Sequence, residues 1–547
     1  MASPALKYVP IKDFSPGVMQ FSRGAGYPTM YPVNAPIGSA AYAYGCYMIS
    51  DIGLAPLPTY TPVLQYTFVN ATGNPSTVAL GQMQSITQLV GSIRVDSIVS
   101  NFDIQVGSTN YCNITRGNIT IGSINTTPNV VYTSSQTSGL GSLPCMDFGL
   151  FQDTNYNKVL VTTDNASQKW VTVPDWHTTT PGDSASGALP TPAVATYRIF
   201  YHAQRMGVWQ HPSGANTTDG YATEGGDYLN VSGLLNPTSF TLSGIYFPEM
   251  GSTVGIWGSV STGEYILIYQ DGGAVLIYGD LGSPSASVKL PAVTGNGGVY
   301  YGRGLATVQG LVYPTAENGA WAWNGGNTST KISDQIPDDA LARPLVPGAV
   351  GHTIGADVWG QRWCLFPNNW LWDLETNSWW QIENPAVINF HCYTQSHVAP
   401  RYFFASTGYT IQPAATNNTF TTYMLDSTLA RSSYTWQSNP IAGDPGKLTT
   451  LQYVEICATN TSDTPCTVVV TPSTPPQFVG YSNISQNATF QVPPNTSGWR
   501  GSAALGYTSY NVELNVAVTN LSINPACIIH EVVMGFSEGN TTGIATV

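Results

Sequence analysis

Between residues 265 and 411 the chain repeats one pattern: an apolar strand, a tight polar turn, and a second apolar or aromatic strand. The four copies span residues 265–278, 311–323, 363–372 and 401–411. With Gly272, Gly319, Asn369 and Gly408 as markers, consecutive turns lie 47, 50 and 39 residues apart. A hairpin that recurs at this interval predicts a β-propeller, here of about six or seven blades, because each small sheet must stack on its neighbours. An ordinary β-sandwich with similar hairpins is the alternative.

The same pattern divides the chain into three predicted regions. Residues 1–60 are punctuated by Pro and Gly and lack sustained alternation, which predicts an extended N-terminal arm lying on its own chain or on a neighbouring subunit. Residues 61–440 form the β-propeller, whose last strand we expect at Tyr434–Ser438. Beyond a Pro/Gly linker, at least five short alternating runs in residues 441–547 predict a C-terminal β-sandwich or jelly-roll domain.

Composition supports an all-β fold. The 547 residues include 55 Gly, 38 Pro and 31 Tyr, and only 9% are charged. No long segment has the 3.6-residue period of an amphipathic helix, so we expect little helix. The N-terminus lacks the apolar core of a signal peptide, and no apolar run approaches the 18 residues of a membrane span. The sequence therefore predicts neither a secretory leader nor a transmembrane segment.

The net charge and the distribution of basic residues indicate which classes of partner the protein can bind. The net charge is −13, and the 18 basic residues are scattered without a Lys/Arg cluster. Proteins that grip nucleic acid carry such clusters, so specific binding of DNA or RNA is not expected. An acidic surface suits a passage through which DNA slides, and it equally suits plain solubility. So few charges on so large a protein indicate that partner subunits cover much of its surface.

Catalytic and metal-binding patterns are absent from the sequence. The histidines show no metal-ligand spacing; His391 and His397 flank Cys392, but we interpret all three as structural residues rather than a nucleophile pair. The adjacent Asp338 and Asp339 would point to opposite faces of a strand, unlike a glycosidase pair. The sequence therefore predicts no enzyme activity, no catalytic residues, no cofactor and no metal site.

One acidic turn and one aromatic group have two interpretations each. Asp373, Glu375 and Asn377 are expected to build a turn, with a Ca²⁺ site as the alternative. A tryptophan group is expected to pack between blades, with a sugar-binding platform as the alternative. This group contains Trp372, Trp379 and Trp380.

The eight cysteines contain no Cys-x-x-Cys pair, so a zinc site is not predicted. Cys457 and Cys466 flank a short polar segment and could face each other across a hairpin. For a protein made in a reducing cytosol, however, free buried thiols are the preferred interpretation.

Several of these stretches resemble a family of bacteriophage tail proteins, the minor tail proteins of phages of actinobacteria. Residues 11–17 and 53–58 look like that family's N-terminal arm. Residues 271–280, 319–333 and 372–380 look like its blades. The architecture is also similar to the nozzle proteins of short-tailed phages, in which a propeller-bearing subunit forms a hexameric ring below the adaptor. The resemblance that these stretches indicate extends over most of residues 1–440.

The resemblance implies a structural virion protein, assembled in the bacterial host cytoplasm and located in the phage tail. Its partners would be other tail proteins and copies of itself in a ring, such as a hexamer, that lines or caps the DNA exit path without binding DNA specifically. The alternative is a receptor- or glycan-binding tail propeller in which Trp209, Tyr221 and Tyr228 stack on sugars. A propeller glycosidase is the third hypothesis, and it needs two carboxylates on one surface.

Overall fold

The computed structural model describes the protein over a set of segments that covers most of the chain. These are residues 6–19, 35–49, 52–68, 77–90, 93–106, 109–120, 122–137, 147–152, 158–163, 168–172, 185–188, 196–210, 228–246, 256–261, 265–270, 273–278, 288–292, 305–308, 311–316, 319–323, 329–337, 340–341, 357–359, 362–366, 370–382, 390–395, 403–407, 409–411, 418–425, 433–442, 448–474, 486–519 and 527–538. Every regular element in these segments is a β-strand, as predicted. Within them, no helix long and apolar enough to cross a membrane is found.

The strands fall into four consecutive groups along the chain. The N-terminal group is β1 (Leu6–Ile11), β2 (Ala40–Tyr44), β3 (Cys46–Ile49), β4 (Gly53–Pro56) and β5 (Tyr60–Phe68). The second group is β6 (Thr77–Val90), β7 (Ile93–Val106), β8 (Thr109–Ile119) and β9 (Asn129–Thr137).

The third group is the longest. It consists of β10 (Asp147–Gln152), β11 (Lys158–Thr163), β12 (Gln168–Thr172), β13 (Ala185–Ala188), β14 (Thr196–His202), β15 (Arg205–Gln210), β16 (Tyr228–Gly233), β17 (Asn236–Tyr246), β18 (Ile256–Ser261), β19 (Tyr265–Gln270), β20 (Gly273–Tyr278), β21 (Val288–Ala292), β22 (Leu305–Val308), β23 (Leu311–Ala316), β24 (Gly319–Trp323), β25 (Ser329–Lys331), β26 (Asp357–Trp359), β27 (Trp363–Phe366), β28 (Trp370–Asp373), β29 (Ser378–Gln381), β30 (Phe390–Gln395), β31 (Phe403–Thr407), β32 (Tyr409–Ile411), β33 (Asn418–Leu425) and β34 (Tyr434–Ser438). The C-terminal group is β35 (Thr449–Asn460), β36 (Cys466–Ser473), β37 (Ala488–Val492), β38 (Thr496–Ser509), β39 (Glu513–Thr519) and β40 (Cys527–Glu538).

The second and third groups form small antiparallel sheets arranged in a closed cycle. Strands β10–β13, β14–β17, β18–β21 and β22–β25 each form a four-stranded sheet in chain order, and β26–β29 pair in the same way. The first strand of each sheet contacts the first strand of the next: β10 contacts β14, β14 contacts β18, β18 contacts β22, β22 contacts β26, β26 contacts β30, β30 contacts β6, and β6 contacts β10. A ring of sheets stacked through their inner strands is a β-propeller.

The ring closes by strand pairing between distant parts of the chain. Strand β5, from the N-terminal group, adds to β33 as the outer strand of the sheet β30-β31-β33-β5. On its other side, the Gln65 amide donates to the Asn125 carbonyl at 2.9 Å, and the Asn125 amide donates to the Val63 carbonyl at 2.9 Å. Strand β5 therefore joins the last propeller sheet to the sheet that contains β8 and β9.

Three of the four predicted hairpins are confirmed. They are the antiparallel pairs β19–β20, β23–β24 and β27–β28. The fourth is wrong, because β31 pairs with β30 and β33, which leaves neither edge for β32. Strand β32 instead crosses to the neighbouring sheet and pairs with β6.

The C-terminal strands form two sheets around one apolar core. One sheet has the order β3-β4-β40-β35-β38, with β1 also paired to β40. The other continues from β26–β29 through β2, β34, β39 and β36 to β37. Alternate residues of β34, β36 and β37 are buried, which is the period of strands with one covered face. Side chains from both sheets meet in the same buried cluster.

This pairing differs from the predicted division of the chain. The described parts of residues 1–60 are not a separate extended arm but supply β1, β2, β3 and β4 to the C-terminal sheets. Strand β34, expected to end the propeller, pairs with β2 and β39. The pairings of β1 with β40 and of β2 with β34 join short strands from distant parts of the chain, so local alternation does not reveal them.

Candidate functional site

The turn between β28 and β29 is built around the carboxylate of Asp373, whose side chain is fully buried. The Glu375 amide donates to Asp373 Oδ1 at 3.0 Å, and Thr376 Oγ1 donates to Asp373 Oδ2 at 2.9 Å. Asn377 adopts the left-handed region with φ of +51°, which asparagine tolerates better than most residues. The Asp-x-x-Thr-Asn pattern therefore forms a turn, as the sequence predicted.

Arg362, the residue directly before β27, binds this turn through its guanidinium group. Its Nε donates to Asp373 Oδ1 at 2.9 Å, and its Nη2 donates to Asp373 Oδ2 at 2.7 Å and to the Met48 carbonyl at 3.0 Å. Its Nη1 lies 2.7 Å from Glu375 Oε2. Burial by itself lowers the pKa of Arg362, but the hydrogen bonds and charge of Asp373, with the charge of Glu375, outweigh burial and raise it.

The guanidinium group is also enclosed by aromatic rings. Its central carbon lies 4.7 Å from the ring centroid of Trp363 and 5.4 Å from that of Tyr47, within the range of cation–π attraction. We call Arg362, Asp373, Glu375, Tyr47 and Met48 the Arg362 clamp. Because Tyr47 and Met48 belong to β3, the clamp ties a propeller sheet to the described part of residues 1–60, which we call the N-terminal segment.

The clamp accounts for the acidic residues that were candidates for Ca²⁺. Asp373 and Glu375 both contact Arg362, so a cation placed between them would meet a guanidinium charge. Among the described residues, no group of three His, Cys, Asp or Glu side chains is placed to hold a metal ion. The arrangement therefore has a structural role: Arg362 connects β3 to the turn between β28 and β29.

The tryptophan group lies beside the clamp and is buried. The ring of Trp379 lies 5.1 Å from Phe366, 5.1 Å from Trp372 and 6.2 Å from Trp370, measured between centroids. Its Nε1 donates to the Ile332 carbonyl at 2.7 Å, beyond the end of β25 in the neighbouring sheet. Packing between propeller sheets is therefore confirmed for this residue, and a fully buried ring cannot serve as a sugar platform.

The edge of β29 is covered by the N-terminal segment. The Val18 amide donates to the Trp379 carbonyl at 2.9 Å, and the Gly45 amide donates to the Gln381 carbonyl at 2.8 Å. Gly17 adopts a φ of +61° directly above Ser378, and a Cβ at this position would lie 2.7 Å from Ser378 Cβ. Only glycine meets both conditions without displacement.

A second buried carboxylate lies in the C-terminal sheets. Glu513, the first residue of β39, is only 2% exposed. Gln437 Nε2 donates to Glu513 Oε2 at 2.9 Å, whereas Glu513 Oε1 has no hydrogen-bond partner among the described residues. Burial raises the pKa of Glu513, and hydrogen bonds from Gln437 and Ser473 offset part of that effect. Sequence reasoning missed this residue, because a single Glu in an alternating run is typical of an exposed strand position.

The described cysteines are free thiols, as predicted. Cys457 is half-buried on β35, and Cys466 is buried on β36 in the other sheet, so they do not face each other across a simple hairpin. Cys466 instead lies near Cys527, because Asn460 Oδ1 is 3.4 Å from Cys466 Sγ and Asn460 is opposite Cys527 in the register of β35 and β40. The two cysteines are 61 residues apart in sequence, so local spacing does not reveal their proximity.

The other described residues singled out from the sequence lie on propeller strands, where Trp209 is opposite Leu229 and Tyr228 is opposite Gln210. His391 and Cys392 lie in β30, and Trp209 and Tyr228 lie in the adjacent strands β15 and β16. The candidates outside the described residues are His397, Asp338, Asp339 and Tyr221.

No protein-family model and no curated protein matches the chain. Solved structures that match the chain include an exo-β-1,3-galactanase from Phanerochaete chrysosporium, at 9% identity and a TM-score of 0.26, covering 71% of this chain and 95% of that one. The Pan2 WD40 domain of Neurospora crassa matches at 8% identity and a TM-score of 0.37, covering 67% and 95%. A family 43 arabinoxylan arabinofuranohydrolase from Bacillus subtilis matches at 8% and 0.26, covering 84% and 96%. Scores of this size assign neither substrate nor activity to the chain.

Proposed function

We propose that the protein is a non-enzymatic structural component of a bacteriophage tail. In this role copies of the chain form a ring, of the nozzle or minor tail type, that lines or caps the DNA exit path and holds distal tail parts. The seven sheets of the cycle are its seven blades, and the two C-terminal sheets form a β-sandwich. The protein would assemble in the host cytoplasm and reside in the virion.

The distribution of exposed apolar side chains carries this proposal. Eight large apolar residues are exposed among those described, and five of them lie in the N-terminal segment. These five are Leu6, Tyr8, Ile37, Tyr42 and Ile52. Exposed apolar side chains concentrated in one segment are typical of a protein–protein contact surface.

The position of β1 adds to this argument. Strand β1 pairs with β40 on one side and with no other described strand, so its second edge is open in the described structure. Open strand edges pair with other chains unless they are protected, and a ring needs two different surfaces that dock head to tail. The N-terminal segment is integrated into its own chain through β40 and still presents an edge to a neighbour.

Rigidity is the second requirement of a ring component, and the clamp supports it. A tail ring must transmit load between its parts without unfolding. The Arg362 clamp ties the propeller to the sheet that contains β3, and the Trp379 bond to Ile332 and the seam at β5 tie propeller sheets to one another. Charged residues make up only 9% of the chain, which suits a subunit whose surface is largely covered by partners.

The mass of the purified protein in solution, measured by light scattering, tests the proposal. We expect a closed oligomer that dissociates at least tenfold more readily in the double variant Tyr8→Ser, Ile37→Ser, because its contact surface loses apolar area. The matched control is Ile124→Ser, Leu234→Ser, which removes two equally exposed apolar residues outside the N-terminal segment. A strict monomer at all concentrations, with no ring density on the tail axis of intact particles, would overturn it.

A further inference from the structure

Two thiols meet in the core between the two C-terminal sheets. Cys466 is the first residue of β36 and Cys527 is the first residue of β40, so each begins a strand of a different sheet. Both side chains are 0% exposed. They close the same end of the core, because both lie beside Asn460, the last residue of β35.

Asn460 fixes the position of both thiols. It lies opposite Cys527 in the register of β35 and β40, and its Oδ1 lies 3.4 Å from Cys466 Sγ. Asn460 is itself held in place, since its Nδ2 donates to the Thr464 carbonyl at 2.9 Å and to the Val492 carbonyl at 3.1 Å. The two sulfurs are therefore presented to each other by a rigid polar turn, not by chance packing.

The surroundings distinguish the two sulfurs. A hydrogen bond from Cys527 lowers the pKa of Cys466, whereas the same bond, together with burial, raises the pKa of Cys527. Ser462 Oγ, 3.9 Å from Cys466 Sγ, is a further polar contact of the first sulfur. The exposed residues 463–465 directly precede Cys466, so we take Cys466 as the thiol that peroxide reaches first when this turn opens, and Cys527 as the thiol that resolves the oxidised intermediate.

We propose that Cys466 and Cys527 form a peroxide-sensitive disulfide that joins the two C-terminal sheets. The Cys466 thiolate attacks the O–O bond of hydrogen peroxide, takes one oxygen as a sulfenic acid and releases hydroxide. The Cys527 thiol gives its proton to that hydroxide, and its sulfur attacks the sulfenic sulfur. The S–S bond forms as the sulfenic oxygen leaves, and after protonation each cycle has consumed one peroxide and produced two waters.

The consequence is a reversible increase in the stability of the C-terminal sheets. The bond closes a loop of about 60 residues, which removes chain entropy from the unfolded state. It would lower the unfolding equilibrium constant of these sheets on the order of a thousand-fold in the chain-entropy estimate. A protein made in a reducing cytosol would thus gain stability once it meets an oxidising environment.

The test uses the full-length protein treated with hydrogen peroxide and then digested under non-reducing conditions. We expect a loss of 2 Da, a linked peptide containing Cys466 and Cys527, and a higher urea midpoint that dithiothreitol reverses. Cys457→Ser is the matched control, a thiol on the same strand as Asn460 but outside the pair, and it should behave as the unmodified chain does. In Cys466→Ser both the linked peptide and the midpoint shift should disappear.

Three results would overturn the proposal. They are a disulfide between Cys457 and Cys466, a disulfide that involves Cys46, and oxidation of Cys466 to a sulfinic acid without any cross-link. Peptide mapping of the unmodified chain decides between them even if a cysteine variant folds poorly. The experiment needs no virion and no ring, so its outcome is independent of the proposed tail function.

Discussion

Two buried carboxylates, one in the propeller and one in the C-terminal sheets, are held in opposite ways. Asp373 receives two hydrogen bonds from Arg362, one from the Glu375 amide and one from Thr376. Glu513 Oε2 accepts a hydrogen bond of 2.9 Å from neutral Gln437, and Glu513 Oε1 has no hydrogen-bond partner among the described residues. Both are almost fully excluded from water.

The difference between the two sites shows which partners a buried carboxylate needs in order to stay ionised. A buried carboxylate that keeps its charge needs a cation and further donors, and Asp373 has both. Glu513 has neutral donors but no cation beside it in the described structure, so burial favours its neutral form and raises its pKa. In the propeller, Asp373 therefore links parts of the chain. In the C-terminal sheets, burial of Glu513 lowers stability whenever its carboxylate is charged.

The largest expected effect follows from removal of the paired acid. Asp373→Ala leaves the Arg362 guanidinium without its bidentate partner, so we expect the free energy of unfolding to fall by about 3–5 kcal/mol. Urea denaturation monitored by tryptophan fluorescence measures the change, since Trp363, Trp372 and Trp379 surround the site.

Glu375→Ala is the matched control for this prediction. Glu375 contacts the same guanidinium at 2.7 Å, but its side chain is 48% exposed, so its loss should cost less than about 1 kcal/mol. Equal losses in the two variants would contradict the view that Arg362 acts through the buried acid.

The next effect concerns the approach of the N-terminal segment to the same turn. In Gly17→Ala the new Cβ would lie 2.7 Å from Ser378 Cβ and 2.8 Å from the Trp379 carbonyl oxygen. With the cost of a left-handed φ, we expect a loss of about 2 kcal/mol. Gly122→Ala, also at positive φ but with no atom within 4 Å, should cost about 1 kcal/mol or less.

A double-mutant cycle tests whether the loss of stability in Gly17→Ala depends on the hydrogen bonds of Asp373. Ser378 Oγ lies 2.6 Å from Thr376 Oγ1, which in turn donates to Asp373. The effects of Gly17→Ala and Asp373→Ala should therefore be non-additive, because they share one hydrogen-bonded turn. Gly17→Ala combined with Glu513→Gln should be additive, and coupling there would mean that the two regions are not independent.

Whether a structural feature can be predicted from the sequence depends on how far apart in the chain the residues that form it lie. The hairpin β27–β28 and the Asp373 turn are local, so apolar alternation and turn residues were sufficient to find them. None of the predicted C-terminal runs lies in residues 496–509, where the structure has β38, because most of this strand is exposed or half-buried and its sequence is rich in Gly, Ser and Thr. An edge strand with little burial carries little hydrophobic periodicity.

Long-range features were not predictable by the same means. The clamp joins Arg362 to the carbonyl of Met48, 314 residues away, and β1 pairs with β40 at the far end of the chain. The hairpin register places Trp363 opposite Asp373, so the neighbouring Arg362 could have been considered as a partner of that acid. No local signal marks Glu513 as buried, since its burial results from how β34, β36 and β39 assemble.

The smallest expected effect is that of Glu513→Gln, which should raise the free energy of unfolding instead of lowering it. Because the folded pKa of Glu513 is raised above its unfolded value, the unfolded chain releases this proton at lower pH than the folded chain does. Stability from this group is therefore complete below the unfolded pKa and is lost as pH rises through the folded pKa. Glu513→Gln cannot ionise and keeps a carbonyl oxygen that Gln437 can reach.

The variant should thus be more stable than the unmodified chain by about 1 kcal/mol at neutral pH, since it removes the cost of a poorly paired buried charge. The advantage should shrink towards zero as pH falls below the ordinary pKa of glutamate. Urea midpoints of both proteins across this pH range measure the difference, and Asp373→Asn, in which an ion pair is lost, should be destabilised at neutral pH. A stability gain for Glu513→Gln that does not depend on pH would show that packing, and not the charge, distinguishes the two carboxylates.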